Sequence, residues 1–252
     1  MDLQLPPGYR SLTPLDRQKH ANLAVLEAGR APFSAQLHGI HLLVPEFIHA
    51  ARHYPVVFAK DSSTGKFVAL AVTGLDPGKN LFVRADGSWE PFVYVPAYVR
   101  RWPFFTLPVT GRAKPGDAES LICVDEQALG SGAESLFDAE GKGSEAWTRI
   151  ETLLREMESA RAQTERLIET LTTHKLLEPF QAHAFPKEGR DLHLTGMYRV
   201  SEDRLNALEG KVLKGMMKRG ELSRIYSHLM SLDNFRHLMD RATARPSSQE
   251  KS

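Results

Sequence analysis

The chain has 252 residues, 42% hydrophobic and 25% charged, which is enough to bury a substantial core in one large domain or one domain with a small lobe. Its 32 basic side chains nearly balance its 31 acidic ones. The sequence also has no block of lysine or arginine that would create a locally basic surface. Because the chain therefore has no positive field that would attract nucleic acid or an anionic membrane, we expect neither as a partner.

Targeting signals and cysteine chemistry are the next constraints. The first residues lack the basic end and apolar centre of a signal peptide, and no apolar run reaches the roughly 18 to 20 residues that span a bilayer. We therefore expect a cytoplasmic protein without a transmembrane segment, and export by another route is left open. Cys123 is the single cysteine, so a disulfide within one chain is excluded. Its apolar neighbours predict a buried strand.

The stretch 44–60 predicts a helix, a proline break and a core strand. Pro45 suits the first helical position, and the apolar spacing predicts a short helix at about 45–53. Tyr54 precedes a proline, which ends the helix, and the run 56–59 is typical of a buried strand. A polar turn follows, and residues 66–73 are predicted to return as an antiparallel partner.

Further strands are predicted on both sides of this hairpin. Residues 80–84 and 89–94 flank Asp86-Gly87, a dipeptide that favours a tight hairpin, although Pro91 would confine the second strand to an edge. Residues 120–124 form another apolar strand. Residues 1–16 are interpreted as a surface arm, and 20–27 as a strand in preference to a short helix. The other assignments are an extended segment at 102–107, a helical turn at 96–101, a turn at 113–117 and a long loop at 125–144.

A long helix is predicted from about Ser144, a good N-cap, to Lys175. Its apolar residues recur at spacings of three and four and line one stripe: Ile150, Leu153, Met157, Ala160, Thr164, Leu167 and Leu171. Two interpretations stay open, a stripe that covers a face of the sheet and a helix-to-helix dimer seam. Residues 178–190 are predicted to be a linker, and residues 192–200 are predicted to form a strand. Helices are predicted to begin at Ser201, with a break at Gly220.

The fold class is therefore α+β, a mostly antiparallel β-sheet with a long covering helix and a helical C-terminal lobe. We assign residues 1–190 to the core, 191–244 to the lobe and 245–252 to a disordered polar tail. The lobe is expected to dock on the core, because its apolar residues are too many to leave in solvent.

We expect no metal and no cofactor. His38 and His41 would point to opposite faces of a strand, and His49 and His53, one helical turn apart, lack an assured third ligand. The glycine runs lack the context and the lysine of a phosphate loop. Residue order alone assembles no catalytic triad, so the catalytic residues are unknown.

One polar set close to apolar turns remains as a candidate binding site. An arginine fork binds a carboxylate through two parallel hydrogen bonds, and aromatic neighbours add shape, which suits an acidic or peptide-like group. Adjacent residues on a helix diverge by about 100°, so only one of two neighbouring arginines can face the site, and we favour Arg100 over Arg101. The alternative is an internal bridge between Glu46 and an arginine. The binding residues we choose are Glu46, Tyr54, Asn80, Tyr98 and Arg100, from a set that also contains Arg52 and Tyr94.

Several motifs in a fixed order give the chain a family resemblance over nearly its whole length. The segments are PEF (45–47), ARHYPVVF (51–58), GKNLFV (78–83), DGSW (86–89), YVPAYVRRWPF (94–104), LFD (136–138) and TGMYRVSEDRLNAL (195–208). With them the chain resembles the bacterial SapC family. That family is named for its association with a surface-layer system, and similar members occur in proteobacteria near genes for outer-membrane receptors and flavin halogenases. The resemblance carries over no catalytic residues.

Two function classes follow. The resemblance and the missing catalytic signature favour a non-enzymatic binding or accessory protein of a bacterial cell-surface or secretion-linked system. Its partner would be a protein or a small acidic or peptide ligand, and a homodimer is a further expectation. The alternative is an enzyme or ligand-binding protein with a site near Glu46 and Arg100, in which Glu46, His49 or Tyr98 could move protons.

Overall fold

The structure is a computed structural model that describes residues 5–26, 30–108, 120–184 and 192–244. The chain forms two compact units, the first made of Met1–Phe33 and Val99–Glu158, the second of Ser34–Tyr98 and Ser159–Ser252. The turn expected at 113–117 and the tail expected at 245–252 lie outside the described residues. None of the helices in the described ranges combines the length and apolar character that a membrane span requires.

The first unit contains two small antiparallel sheets. In one of them β7 (Ser120–Val124) lies between β1 (Thr13–Pro14) and β6 (Phe104–Pro108). In the other, β2 (Ala24–Val25) pairs with β8 (Leu129–Gly130). The strand expected at 20–27 is thus only two residues long, because a turn occupies the residues before it.

The core of the first unit is aromatic. Phe104, Phe137 and Trp147 are buried, and the Trp147 ring lies 5.8 Å from Phe104 and 5.0 Å from Phe137. Cys123 is buried in β7 as expected, and burial raises the pKa of its thiol. A buried thiol with a raised pKa carries little thiolate, so this residue is a core side chain and not a nucleophile.

The second unit is built on a five-stranded antiparallel sheet within the described residues. Its strands are β3 (Gly39–His41), β4 (Val56–Lys60), β5 (Phe67–Val72), β9 (Leu177–Ala184) and β10 (Leu192–Val200). They lie in the order β3-β5-β4-β10-β9. The predicted pairing of 56–60 with 66–73 is confirmed, and its register runs from Val56 opposite Ala71 to Lys60 opposite Phe67. The predicted antiparallel sheet therefore exists, although other strands complete it.

Two strand assignments were wrong. Residues 80–84 and 89–94 form no strands, and a single bridge joins Val83 to Trp89 in that described segment. Phe92 has a φ of 61°, which is incompatible with a strand. Conversely, residues 178–184 of the expected linker belong to β9, and residues 185–190 lie outside the described residues. Pro179 cannot donate a hydrogen bond to a ladder, and β9 tolerates it because β9 is an edge strand.

Helix α1 (Phe47–Ala50) follows a 3-10 turn at Val44–Glu46, and α2 is Ala97–Arg100, both close to the predicted positions. The long helix α3 runs from Glu145 to Thr173, and the Ser144 hydroxyl oxygen accepts a hydrogen bond from the Trp147 amide at 3.2 Å, as a helix cap does. The predicted α+β class, with a long helix and a helical C-terminal part, is confirmed.

Apolar residues of α3 pack into the hydrophobic cores of both units. Leu154 packs in the first unit, whereas Leu167 and Leu171 pack in the core of the second. Leu154 is more deeply buried than the predicted Leu153. The covering-helix interpretation therefore accounts for these residues, and a dimer seam is not needed to explain them.

Four helices follow β10, namely α4 (Glu202–Asn206), α5 (Gly210–Lys218), α6 (Glu221–Ser231) and α7 (Asn234–Ala244), in this described stretch. Gly220 separates α5 from α6 with a φ of 72°, as its predicted helix-breaking role requires. Ser201 precedes α4, but its hydroxyl oxygen accepts no capping hydrogen bond from the helix, and only its carbonyl accepts, from the Leu205 amide. Leu205, Met216 and Ile225 are buried in one core with β4 and β5. The division at residue 190 stays a prediction.

A buried histidine connects α6 to the sheet. Strands β4 and β10 pair at Phe58 with Tyr198, and the same register would next bring Val56 opposite Val200. There the imidazole of His228 stands between them: its Nδ1–H donates to the Val56 carbonyl at 2.7 Å, and its Nε2 accepts from the Val200 amide at 3.0 Å. The imidazole thus replaces a rung of the ladder, in the neutral tautomer that carries its proton on Nδ1.

We expect the free energy of unfolding to fall as pH is lowered from 6.5, the ordinary pKa of histidine, to about 4, the value to which burial lowers the pKa of His228. Because this pKa is depressed in the folded state, the unfolded chain binds the proton more tightly, and stability present above the unfolded pKa is lost on acidification. The loss is about 3 kcal/mol, since one pKa unit is worth about 1.4 kcal/mol. Denaturant unfolding across this pH range measures it.

The matched variants for this pH series are His228→Asn and His41→Asn, the latter at an exposed position. His228→Asn should be less stable at neutral pH and should show a flatter pH dependence. His41→Asn should keep the slope of the wild type. An unchanged slope in His228→Asn would show that another group titrates.

Gly74 offers a second test of the fold. A Cβ at this position would lie 1.7 Å from the Lys79 carbonyl oxygen, so an alanine must force the turn 74–79 apart. We expect Gly74→Ala to destabilise the protein by at least about 2 kcal/mol in thermal or denaturant unfolding. Gly210→Ala, where nothing lies within 4 Å, should be neutral or slightly stabilising. Equal stability of the two variants would contradict this packing.

Candidate functional site

Glu46 is buried at the end of the 3-10 turn that precedes α1, with 6% of its surface exposed. Its Oε1 accepts hydrogen bonds from the Tyr94 hydroxyl at 2.9 Å and the Ala97 amide at 2.7 Å. Its Oε2 accepts from the Leu43 amide at 2.8 Å. The carboxylate therefore joins its own turn to the segment 94–97, and its hydrogen bonds serve the chain itself.

Tyr54 and Asn80 are also committed to internal contacts. The Tyr54 hydroxyl donates to the Tyr94 carbonyl, its ring meets Phe82 edge-on at 4.6 Å, and burial raises its pKa far above the ordinary value. The Asn80 amide donates to the Ser34 carbonyl and accepts from the Phe82 amide, both at 2.9 Å. These side chains hold the loop 80–94 in place of the ladder that the sequence predicted for it.

The two remaining predicted site residues differ in position. Tyr98 is half-buried, with its ring 6.0 Å from His41, in the second unit. Arg100 is exposed at the end of α2 and belongs to the first unit, as does Arg101, whose guanidinium lies 4.2 Å from the centre of the Phe105 ring. The structure therefore links Glu46, Tyr54 and Asn80 into one network through Tyr94 and Phe82. Ligand binding by Glu46 and Arg100 stays a prediction.

A cavity of about 430 Å³ opens in the second unit, and we call it the Arg52–Arg241 cavity. Part of its wall comes from the turn after α1, part from the loop that holds Phe82, and the rest from one face of α7. The lining residues are Arg52, His53, Phe82, Asn234, His237, Asp240, Arg241 and Ala244. The α7 residues recur at spacings of three and four, which places them on one side of the helix.

Internal contacts position both walls of the cavity. The Arg241 guanidinium lies 4.4 Å from the centre of the Phe82 ring, a cation–π contact that restrains its orientation. The Asn234 amide donates to the carbonyls of Ala51 at 2.7 Å and Tyr54 at 3.1 Å, which fixes α7 against the end of α1. Both arginines are therefore carried by elements that contacts within the chain hold in place.

The field inside the cavity is positive near His53. The pKa of His53 is lowered, first because burial disfavours its charged form and then because Arg52 and Arg241 repel a positive charge there. Asp240 opposes the arginines in the lining. Although His53, His237 and Asp240 share this cavity, no group of three such residues in the described ranges is placed to hold a metal ion. The arrangement suits an anion with hydrogen-bond acceptors, such as a carboxylate.

Sequence reasoning included Arg52 in the wider polar set but missed Arg241, His237 and Asn234. The last helix was interpreted only through its apolar positions. The available signal was on its polar face, where His237 and Arg241 stand one helical turn apart. Nothing in the sequence, however, indicates that this face meets the turn at Arg52.

Comparison with known proteins gives one family. The SapC family model matches residues 15–238, which is most of the chain and covers most of each unit. No curated protein and no solved structure matches.

Glu46→Gln should test whether this carboxylate is structural. An amide has one oxygen, so in either orientation its NH₂ group faces a backbone N–H, that of Ala97 or that of Leu43. We expect a loss of about 1–3 kcal/mol in denaturant unfolding, the cost of leaving one buried donor unsatisfied. Glu169→Gln, at an exposed position on α3, should change stability little. Wild-type stability in Glu46→Gln would reopen a ligand-binding role for this residue.

Proposed function

Since the chain belongs to the SapC family, we propose that it is a non-enzymatic binding and accessory protein of a bacterial cell-surface or secretion-linked system. In this proposal it holds an acidic side chain of a peptide or protein partner in the Arg52–Arg241 cavity. The surface-layer association from which the family takes its name supports the cell-surface part. A cytoplasmic location remains part of the proposal.

The observation that carries the binding role is that two arginines from different elements line one cavity. Arg52 comes from the turn after α1 and Arg241 from α7, so a group bound there would meet cations from two elements. Asp240 offsets one of these two charges, and the repulsion at His53 indicates that the field at that corner stays positive. A carboxylate that accepts from a guanidinium forms charge-assisted hydrogen bonds, about twice as strong as neutral ones.

The commitment of Glu46 supports binding over catalysis. A general acid or base must reach the proton that it transfers, within hydrogen-bond distance. Glu46, the carboxylate that an enzyme alternative would use, instead accepts three hydrogen bonds from the chain. Such a role would require the carboxylate to give up part of the network that holds residues 43, 94 and 97 together.

Binding can be tested with a pair of ligands that differ only in charge. N-acetylglutamate amide presents an acidic side chain in a peptide-like frame, and N-acetylglutamine amide is its neutral counterpart. We expect the acid to bind and the neutral amide to bind at least about tenfold more weakly, since loss of a charge-assisted contact costs about 1.5–3 kcal/mol. Chemical-shift titration of the full chain measures both affinities.

Three variants locate this binding. Arg52→Gln and Arg241→Gln should each weaken acid binding by about tenfold or more. Arg236→Gln should leave it unchanged, because Arg236 is an exposed arginine of the same helix that does not line the cavity. Equal binding of acid and amide, or equal affinity in all three variants, would contradict the proposal.

A further inference from the structure

We infer that an acidic group in the Arg52–Arg241 cavity binds together with a proton taken up by His53, so that affinity increases as pH falls. This inference rests on the proposed function and adds a regulation to the same site. Its basis is the position of the His53 imidazole, which the turn after α1 contributes to the lining of a cavity that α7 also lines.

His53 is held in the turn that ends α1. Its backbone amide donates to the Ala50 carbonyl at 2.9 Å, and its ring lies 5.9 Å from that of Tyr54. Both neighbours belong to the core of the second unit, with Ala50 and Tyr54 each fully buried. The backbone that carries the imidazole is therefore held by the core, and this places His53 in the wall of the cavity.

The charged and titratable groups around His53 come from two elements. The turn after α1 provides Arg52 and the buried phenol of Tyr54, and α7 provides His237, Asp240 and Arg241. In the free protein the two arginines repel a proton on His53, in addition to the cost of burial, and its pKa lies below the ordinary value of 6.5. The imidazole is thus neutral at neutral pH.

An anion in the cavity counteracts the repulsion that the two arginines exert on a proton at His53. It attracts a proton to His53 and so raises the pKa of the imidazole above that of the free protein. By linkage, a ligand that raises a pKa binds more tightly to the protonated form. The affinity for the anion is then constant at pH values above the pKa that His53 has in the complex. It rises as pH falls through that pKa, and it levels off below the pKa that His53 has in the free protein. A shift of one unit corresponds to about a tenfold gain in affinity.

The test is a titration of the full chain with N-acetylglutamate amide at several pH values between about 7.5 and 5.5. Carboxylates titrate near pH 4, so the probe remains an anion throughout this window. We expect affinity to rise by about three- to tenfold on acidification. The NMR signal of the His53 ring should titrate at a higher pH in the complex than in the free protein.

Two histidine variants identify the group that takes up the proton. His53→Asn should bind the acid with an affinity that no longer depends on pH in this window. His237→Asn, at the exposed imidazole that α7 contributes to the lining, should retain the pH dependence. Both can be checked for folding by thermal unfolding in the same buffers.

The outcomes separate this inference from the proposed function. If the acid binds with an affinity independent of pH, or if the dependence persists in His53→Asn, proton coupling through His53 is wrong and the binding role stands. If the acid binds at no pH, the proposed function is wrong and the coupling is overturned with it.

Discussion

The second unit depends on one imidazole at a point where two strands of its sheet stop pairing directly. His228 connects the Val56 carbonyl to the Val200 amide, and the Ser231 hydroxyl accepts from the Val56 amide at 2.8 Å. Without these side chains, three backbone groups in a buried region would lack partners, each at a cost comparable to a lost hydrogen bond. Helix α6 is therefore attached to the sheet by polar contacts of defined direction and not by apolar packing alone.

The candidate site depends on the same attachment. Asn234 begins α7 three residues after Ser231, and it donates to the carbonyls of Ala51 and Tyr54. Residues 54–56 lead from α1 into β4, so the contacts of Ser231 and Asn234 fix both the strand and the turn that precedes it. Arg52 and Arg241 are brought to one cavity by this corner of the chain. Local stability and the shape of the cavity are thus set by adjacent contacts in the same segment.

The sequence predicted those features that local chemistry determines. The hairpin of β4 and β5, the strand around Cys123 and the long helix from Ser144 follow from proline breaks, turn residues and apolar spacing. The strands predicted within 80–94 were wrong because side chains take up part of the hydrogen bonding of this segment: the Asn80 side chain accepts from the Phe82 amide, and the hydroxyl of the distant Tyr54 donates to the Tyr94 carbonyl. The contact with Tyr54 exists only in the folded chain, so no local pattern reveals it. β9 was missed because Pro179 indicates a linker until an edge position is known. The cavity could not be predicted, since residues 52–53 and 234–244 meet only in the folded chain.

The contrast between Glu46 and Arg241 shows how a structural polar group differs from one that can bind a ligand. Both are charged residues beside aromatic rings, and the sequence favoured the first. Glu46 is 6% exposed and receives three donors from its own chain, so a ligand would have to displace contacts of the fold. Arg241 lies over the face of the Phe82 ring and lines the cavity, and a cation–π contact uses none of the five N–H donors of a guanidinium as a hydrogen bond. A cation restrained in this way can bind an anion without loss of the fold, which is why the cavity and not the Glu46 network supports the binding role.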